Sequence, residues 1–112
     1  MSYNIKSGDL FTLYETLKWD DGSAIDLSDA DAVYLIARLD GATEAAITGE
    51  CEIVDRVAGQ VSYSFNDGET DVPGMYRYEY EIRFPAIGTE DFRPFTVPSK
   101  GRLWLHIESD LA

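Results

Sequence analysis

The feature that most constrains the fold is a strict alternation of apolar and charged residues over positions 75–84. Successive side chains of a β-strand point to opposite faces of the sheet, so such alternation predicts a strand with one buried face. The inward set would be Tyr76, Tyr78, Tyr80, Ile82 and Phe84, and the outward set Arg77, Glu79, Glu81 and Arg83. Weaker alternation over 61–66 and 102–108 predicts two further half-buried strands.

Four other segments, 9–19, 32–39, the region of Cys51 and 92–97, also favour strands over helices. In the first of them an apolar face is interrupted by Glu15; its other members are Phe11, Leu13, Leu17 and Trp19. Turn signals rich in Gly, Asp and Pro separate the segments. We therefore predict an all-β chain, an antiparallel β-sandwich of about seven strands, in one domain over 1–112 with a short N-terminal arm at 1–8.

The charge balance excludes several classes of partner. The chain has 21 acidic and 9 basic residues, a formal net charge of −12. Such a surface repels phosphate backbones and anionic lipids, so we expect no nucleic-acid partner. No apolar run is long enough to cross a membrane, and no secretory signal is recognisable. We therefore expect that the chain does not insert into a membrane and that it is made in a cytoplasm. The single cysteine, Cys51, excludes an intrachain disulfide.

The stretch 71–76 has the pattern of a tyrosine corner. An acidic residue and a glycine turn precede Tyr76 at the start of a strand, where the phenol hydroxyl can bond to the backbone upstream. Two residues later, where an immunoglobulin domain has its second disulfide cysteine, this chain has Tyr78. The pattern predicts an immunoglobulin-like sandwich with an aromatic core in place of the disulfide. The alternative is that Tyr76 is an ordinary core tyrosine.

Three passages, 20–28, 74–84 and 95–107, resemble the immunoglobulin-like domain of tailed-bacteriophage baseplate upper proteins and of small phage proteins built from that fold. They are an acidic turn with an apolar-Asp-Leu-Ser step, a glycine-led alternating strand, and a Phe-x-x-Pro ending with a final strand. The resemblance implies a virion component or adaptor of the tail or baseplate, made in the host cytoplasm. Baseplate proteins continue into oligomerising segments, and the resemblance does not extend to a role that depends on them.

The residue types that carry catalysis are present but scattered. Glu79 and Glu81 are predicted on the solvent face of one strand beside arginines, where charge pairing explains them better than glycoside hydrolysis. His106 is predicted on an outer face and Cys51 on an inner one, which gives no oriented nucleophile and base. We therefore predict no enzymatic activity, no catalytic residues and no cofactor.

A cluster of aspartates is the one candidate for a metal site. Oxygen ligands of this kind suit calcium, but their spacing does not match a calcium loop, and aspartates also initiate turns. We predict solvated turns and no metal. The residues are Asp20, Asp21, Asp26, Asp29 and Asp31.

Trp104 and Tyr34 are predicted on faces opposite the core, where a large aromatic side chain is typical of a partner surface. Alternatively, a long loop or the N-terminal arm covers them. We predict a non-enzymatic phage module that binds protein partners, either tail or baseplate components or a host surface, with homo-oligomerisation as a further option. Two alternatives remain: a stand-alone carbohydrate-binding domain, and a non-virion phage protein that binds a host factor.

Overall fold

A computed structural model describes residues 2–86, 92–98 and 103–109. These described residues form nine strands and no helix: β1 (Ser2–Lys6), β2 (Thr12–Thr16), β3 (Ala32–Leu39), β4 (Ile47–Glu50), β5 (Glu52–Asp55), β6 (Gln60–Ser64), β7 (Gly74–Pro85), β8 (Phe92–Val97) and β9 (Leu103–Glu108). Residues 99–102, part of the third resembling passage, lie outside the described residues.

The strands form two sheets of a sandwich. One has the order β1-β9-β7-β3-β4, with β8 also paired to β7, and the other has the order β2-β6-β5. The predicted fold class, an all-β sandwich, is confirmed. The fourth strand joins the larger sheet, as an extra strand does in variable-type immunoglobulin domains. All pairings in the larger sheet are antiparallel except that of β1 with β9, which is parallel.

Two differences raise the strand count above the predicted seven. Most of the predicted N-terminal arm is strand β1, which pairs with β9 along its whole length. The segment around Cys51 contains two strands in different sheets, because β4 pairs with β3 and β5 pairs with β6. The chain changes sheets at Cys51, which is buried and whose N–H donates to Val33 O at 2.8 Å.

The predicted inward residues form the core. On β7 the inward residues Tyr76, Tyr78, Tyr80 and Ile82 are all at most 3% exposed. Inward residues of both sheets, from β2, β3, β6 and β9, are also buried: Leu13, Val33, Leu35, Ala37, Val61, Tyr63, Leu105 and Ile107. Trp19 was predicted to share the inward face of its segment, but it is 41% exposed and packs on Phe95 with ring centroids 5.0 Å apart. Trp19 lies beyond the end of β2, at the start of a turn in which the Gly22 N–H donates to the Trp19 carbonyl oxygen at 2.9 Å.

The tyrosine corner is present. The Tyr76 hydroxyl donates a 2.7 Å hydrogen bond to the Val72 carbonyl oxygen, four residues upstream. Tyr78 occupies the position predicted for it in the core, and its ring meets the Tyr80 ring edge-on at 6.0 Å. Aromatic packing therefore fills the space between the sheets where many immunoglobulin domains have a disulfide.

The edge of β7 is shared by two strands. Val97 of β8 lies opposite Tyr80, and Leu103 of β9 lies opposite Tyr78, the next inward position of β7. The point on this edge of β7 where the pairing passes from β8 to β9 is called here the β8–β9 break. Two described residues beside it, Pro98 and Leu103, line both cavities described below.

Candidate functional site

The outer face of the six-stranded sheet collects residues that are far apart in the sequence. Arg38 of β3 lies directly opposite Arg77 of β7, and Arg77 lies opposite Trp104 of β9. Tyr34 of β3 lies opposite Glu81 of β7. Because the pleat turns their neighbours into the core, these side chains point away from it. The structure thus places Trp104 and Tyr34 on one sheet face, as their alternation predicted.

Tyr34 is held in place by its neighbours. The guanidinium carbon of Arg83 lies 4.1 Å from the centre of the Tyr34 ring, a cation–π contact. The Tyr34 hydroxyl lies 3.5 Å from Glu50 Oε1, at the outer limit of a hydrogen bond. Its side chain is partly buried by these contacts. The ring is therefore ordered before any partner arrives.

Trp104 is also partly buried on the outer face. Its backbone lies between Ser2 of β1 and Arg77 of β7. The N-terminal strand thus lies beside β9 within the sheet. The alternative explanation of Trp104 was that either a long loop or this N-terminal arm covers it. The role of Trp104 and Tyr34 in binding a partner stays a prediction.

A hollow of about 190 Å³ lies on this face next to the β8–β9 break. Its lining includes Ile36, Arg38, Arg77, Glu79, Pro98 and Leu103. Like charges directly opposite each other in a sheet are unfavourable, so the Arg38–Arg77 pair needs acidic neighbours. Arg38 Nη2 lies 3.8 Å from Glu79 Oε1, and Arg77 Nε lies 3.8 Å from Asp40 Oδ1. Such long, partly exposed ion pairs are weak and leave guanidinium N–H groups for other acceptors.

The acidic residues considered for catalysis take part in charge pairs. Glu79 pairs across the sheet with Arg38, whereas Glu81 accepts a 2.8 Å hydrogen bond from Arg83 Nε on its own strand. Charge pairing therefore accounts for both, although only the first pair crosses between strands.

His106 and Cys51 lie on opposite faces of the larger sheet. His106 is on the outer face, with Nδ1 3.8 Å from Glu108 Oε1. Cys51 is buried at the sheet crossover, and burial raises the pKa of its thiol to about 12. The structure does not bring these two side chains together.

Two of the aspartates form side-chain turns. Asp21 Oδ1 accepts hydrogen bonds from the backbone N–H and hydroxyl of Ser23, and Asp26 Oδ1 accepts the same pair from Ser28. These serine hydrogen bonds lower the pKa of both carboxyls. Turn formation, a common role of aspartate, thus explains Asp21 and Asp26. Within the described ranges, no three acidic, His or Cys side chains lie close enough to hold a metal ion.

A second cavity of about 310 Å³ lies at the seam between the two sheets. One wall comes from β2 and the segment after it, with Glu15, Leu17 and Trp19. The opposite wall lies at the β8–β9 break, and Tyr80 contributes to the lining from the core. We call it the seam cavity.

No family model matches this chain, and no curated protein matches its sequence. The described residues also contain no helix with the length and hydrophobicity needed to cross a membrane. The sites must therefore be interpreted from their geometry.

Two exposed residues of the smaller sheet were not singled out from the sequence. Tyr14 of β2 is 64% exposed and Val54 of β5 is 52% exposed, on the outer side of the smaller sheet. The seam cavity did have one signal, because Glu15 interrupts an otherwise apolar inward face. That signal could not show which residue Glu15 contacts. In the structure it lies beside Tyr78, 63 positions away, and the Tyr78 hydroxyl donates to Glu15 Oε1 at 3.2 Å.

Proposed function

We propose that this chain is a non-enzymatic module of a tailed-phage particle, which docks onto another protein through the outer face of its six-stranded sheet. The observation that carries the docking proposal is the grouping of Tyr34 and Trp104 with three arginines on that one face. The phage-particle part of the proposal is supported by the resemblance of the passages 20–28, 74–84 and 95–107 to baseplate immunoglobulin-like domains.

The residue types on this face are those that contribute most to protein interfaces. Tryptophan, tyrosine and arginine dominate the small set of residues whose truncation costs the most binding energy. Three of the chain's six arginines, Arg38, Arg77 and Arg83, are on this face of an otherwise acidic protein. They can donate to carboxylates and carbonyls of a partner.

The face is also pre-ordered. Tyr34 is fixed by Arg83, and strands β3, β7 and β9 support the surface from the centre of the sheet. Binding to a rigid sheet face loses less conformational entropy than binding to a loop. The hollow beside Arg38 and Arg77 has room for one partner side chain at the centre of such an interface.

The docking proposal is tested with two variants of the face and one matched control. Cross-linking of purified phage particles identifies the protein bound to the chain, and a binding isotherm is then measured with that protein. Trp104→Ala and Tyr34→Ala should each weaken binding by roughly 30-fold, the loss of about 2 kcal/mol that a central interface aromatic contributes. Tyr14→Ala, which removes an exposed ring from the other sheet, should leave the isotherm unchanged.

Docking through this face would be contradicted if all three variants lost the same amount of binding affinity. It would also be contradicted if neither Trp104→Ala nor Tyr34→Ala lost any. The particle assignment has its own test, mass spectrometry of purified virions. Absence of the chain from virions would favour the infection-stage alternative, in which it binds a host factor. Tryptophan fluorescence that shifts with cell-wall glycans but not with virion proteins would favour the carbohydrate-binding alternative.

A further inference from the structure

The seam cavity combines apolar walls with a carboxylate that has no cationic partner among the described residues. Leu17 is 1% exposed and forms part of the wall, and the more exposed Trp19 ring is held against Phe95. Glu15 projects from the same segment, accepts one hydrogen bond from Tyr78, and forms no ion pair with any described side chain. Burial raises the pKa of Glu15 more than the Tyr78 hydrogen bond and the chain's amino terminus lower it.

Tyr80 contributes a second polar group to this cavity. Its side chain is 0% exposed, and its hydroxyl has no hydrogen-bond partner in the described part of the chain. Buried hydroxyls are nearly always paired, because an unpaired one loses its hydration without compensation. The Tyr80 hydroxyl can accept a hydrogen bond, as the Glu15 carboxylate can. Glu15 and Tyr80 thus both contribute acceptors to the cavity. Lys18 also lines it, but Lys18 forms no ion pair with any described side chain.

These features select the chemistry of the occupant. A long basic side chain has a cationic head that donates several hydrogen bonds and an aliphatic stem that packs on apolar surface. The Leu17 and Trp19 walls suit the stem, and Trp19 can also make a cation–π contact. A volume of about 310 Å³ accommodates a single side chain. The net charge of −12 attracts a positively charged partner surface.

We propose that the seam cavity binds an arginine or lysine side chain presented by a partner protein, with the charged head at Glu15 and Tyr80 and the stem against Leu17 and Trp19. This site lies at the seam between the sheets and does not depend on the outer face of the larger sheet. It would give the module a second, charge-selective contact.

The test uses capped arginine, N-acetyl-arginine methylamide, as the probe and its neutral isostere, the capped citrulline, as the control. Amide and indole shifts of the full chain are followed by two-dimensional NMR at low salt. We expect saturable shifts at Leu17, Trp19 and Val97 with a Kd on the order of 1 mM, as suits a single side chain. The citrulline compound should produce no saturable shifts.

Matched variants separate this pocket from the general acidity of the surface. Glu15→Gln should weaken probe binding about tenfold or more, since it removes the charge and keeps the shape. Tyr80→Phe should weaken binding several-fold while the folded protein becomes no less stable, because it removes an unpaired hydroxyl. Glu44→Gln removes an exposed charge elsewhere and should leave binding unchanged.

Equal binding of the citrulline probe, or equal losses in Glu15→Gln and Glu44→Gln, would overturn the proposal. The proposal would also be overturned if the probe bound only after acetylation of the chain's amino terminus. That result would show that the chain's own amino group occupies the seam cavity. Tyr34→Ala should leave probe binding unchanged, so this result and the result for the outer face can be distinguished.

Discussion

The tyrosine corner allows the sharpest prediction about stability. In Tyr76→Phe the ring stays buried and no cavity forms, so the variant loses only the 2.7 Å hydrogen bond to the Val72 carbonyl. A buried hydrogen bond contributes about 0.5–1.5 kcal/mol, and an acceptor left unpaired costs up to about 3 kcal/mol. The side chain of Val72 is 56% exposed, so water can reach this part of the loop and partly compensate. We therefore expect a loss of about 1–2 kcal/mol.

This loss can be converted into a melting temperature. Unfolding entropy near the transition is about 2.1 cal/mol/K per residue, or about 0.24 kcal/mol/K for this chain, so Tm should fall by about 4–8 °C. Urea unfolding should show a lower midpoint with an unchanged slope, because the surface exposed on unfolding stays the same. Both measurements use the same folded chain.

The control is Tyr34→Phe, which removes a hydroxyl that lies 3.5 Å from its nearest acceptor. We expect it to change stability by less than about 0.5 kcal/mol. If Tyr76→Phe destabilised the chain no more than Tyr34→Phe does, the corner hydrogen bond would not stabilise the crossover between the sheets.

Two further predictions concern the backbone and the thiol. Gly59 and Gly22 both have positive φ, +69° and +89°, but only at Gly59 would a Cβ lie 2.5 Å from the Ile25 carbonyl oxygen. Gly22→Ala should therefore cost about 1 kcal/mol of backbone strain and Gly59→Ala about 2 kcal/mol more, measured by urea unfolding; equal costs would show that the close contact relaxes freely. Because burial raises the pKa of Cys51 to about 12, the native thiol should react very slowly with a disulfide reagent at mildly alkaline pH and rapidly in denaturant. Complete labelling of the native chain within minutes would refute this burial.

The local alternation predicted the core well. Side-chain direction in a strand repeats every two residues and depends only on the local backbone, so the inward tyrosines of 75–84 could be assigned from their spacing. The tyrosine corner was predictable for the same reason, since its hydrogen bond spans four residues. Trp19 was assigned incorrectly because it lies beyond the end of β2, at the start of a turn, and alternation carries no information beyond the end of a strand.

The outer face was predictable only in part. The sequence alone placed Trp104 and Tyr34 away from the core, but it could not show that Arg38 and Arg77 lie opposite each other. Strand register depends on pairing between segments about 40 residues apart, which no local pattern encodes. The carbohydrate-binding and docking alternatives start from the same outward aromatics, which is why they remained open.

The strict alternation over 75–84 by itself determined that this chain builds a sheet with a buried aromatic face and a charged one. Only the tertiary structure decided what lies against that face. It joined β1 in parallel to β9, moved the chain between sheets at Cys51, and brought Glu15 beside Tyr78 and near Tyr80. These contacts follow from packing two sheets together, a non-local process in which loop closure and burial decide which distant segments meet.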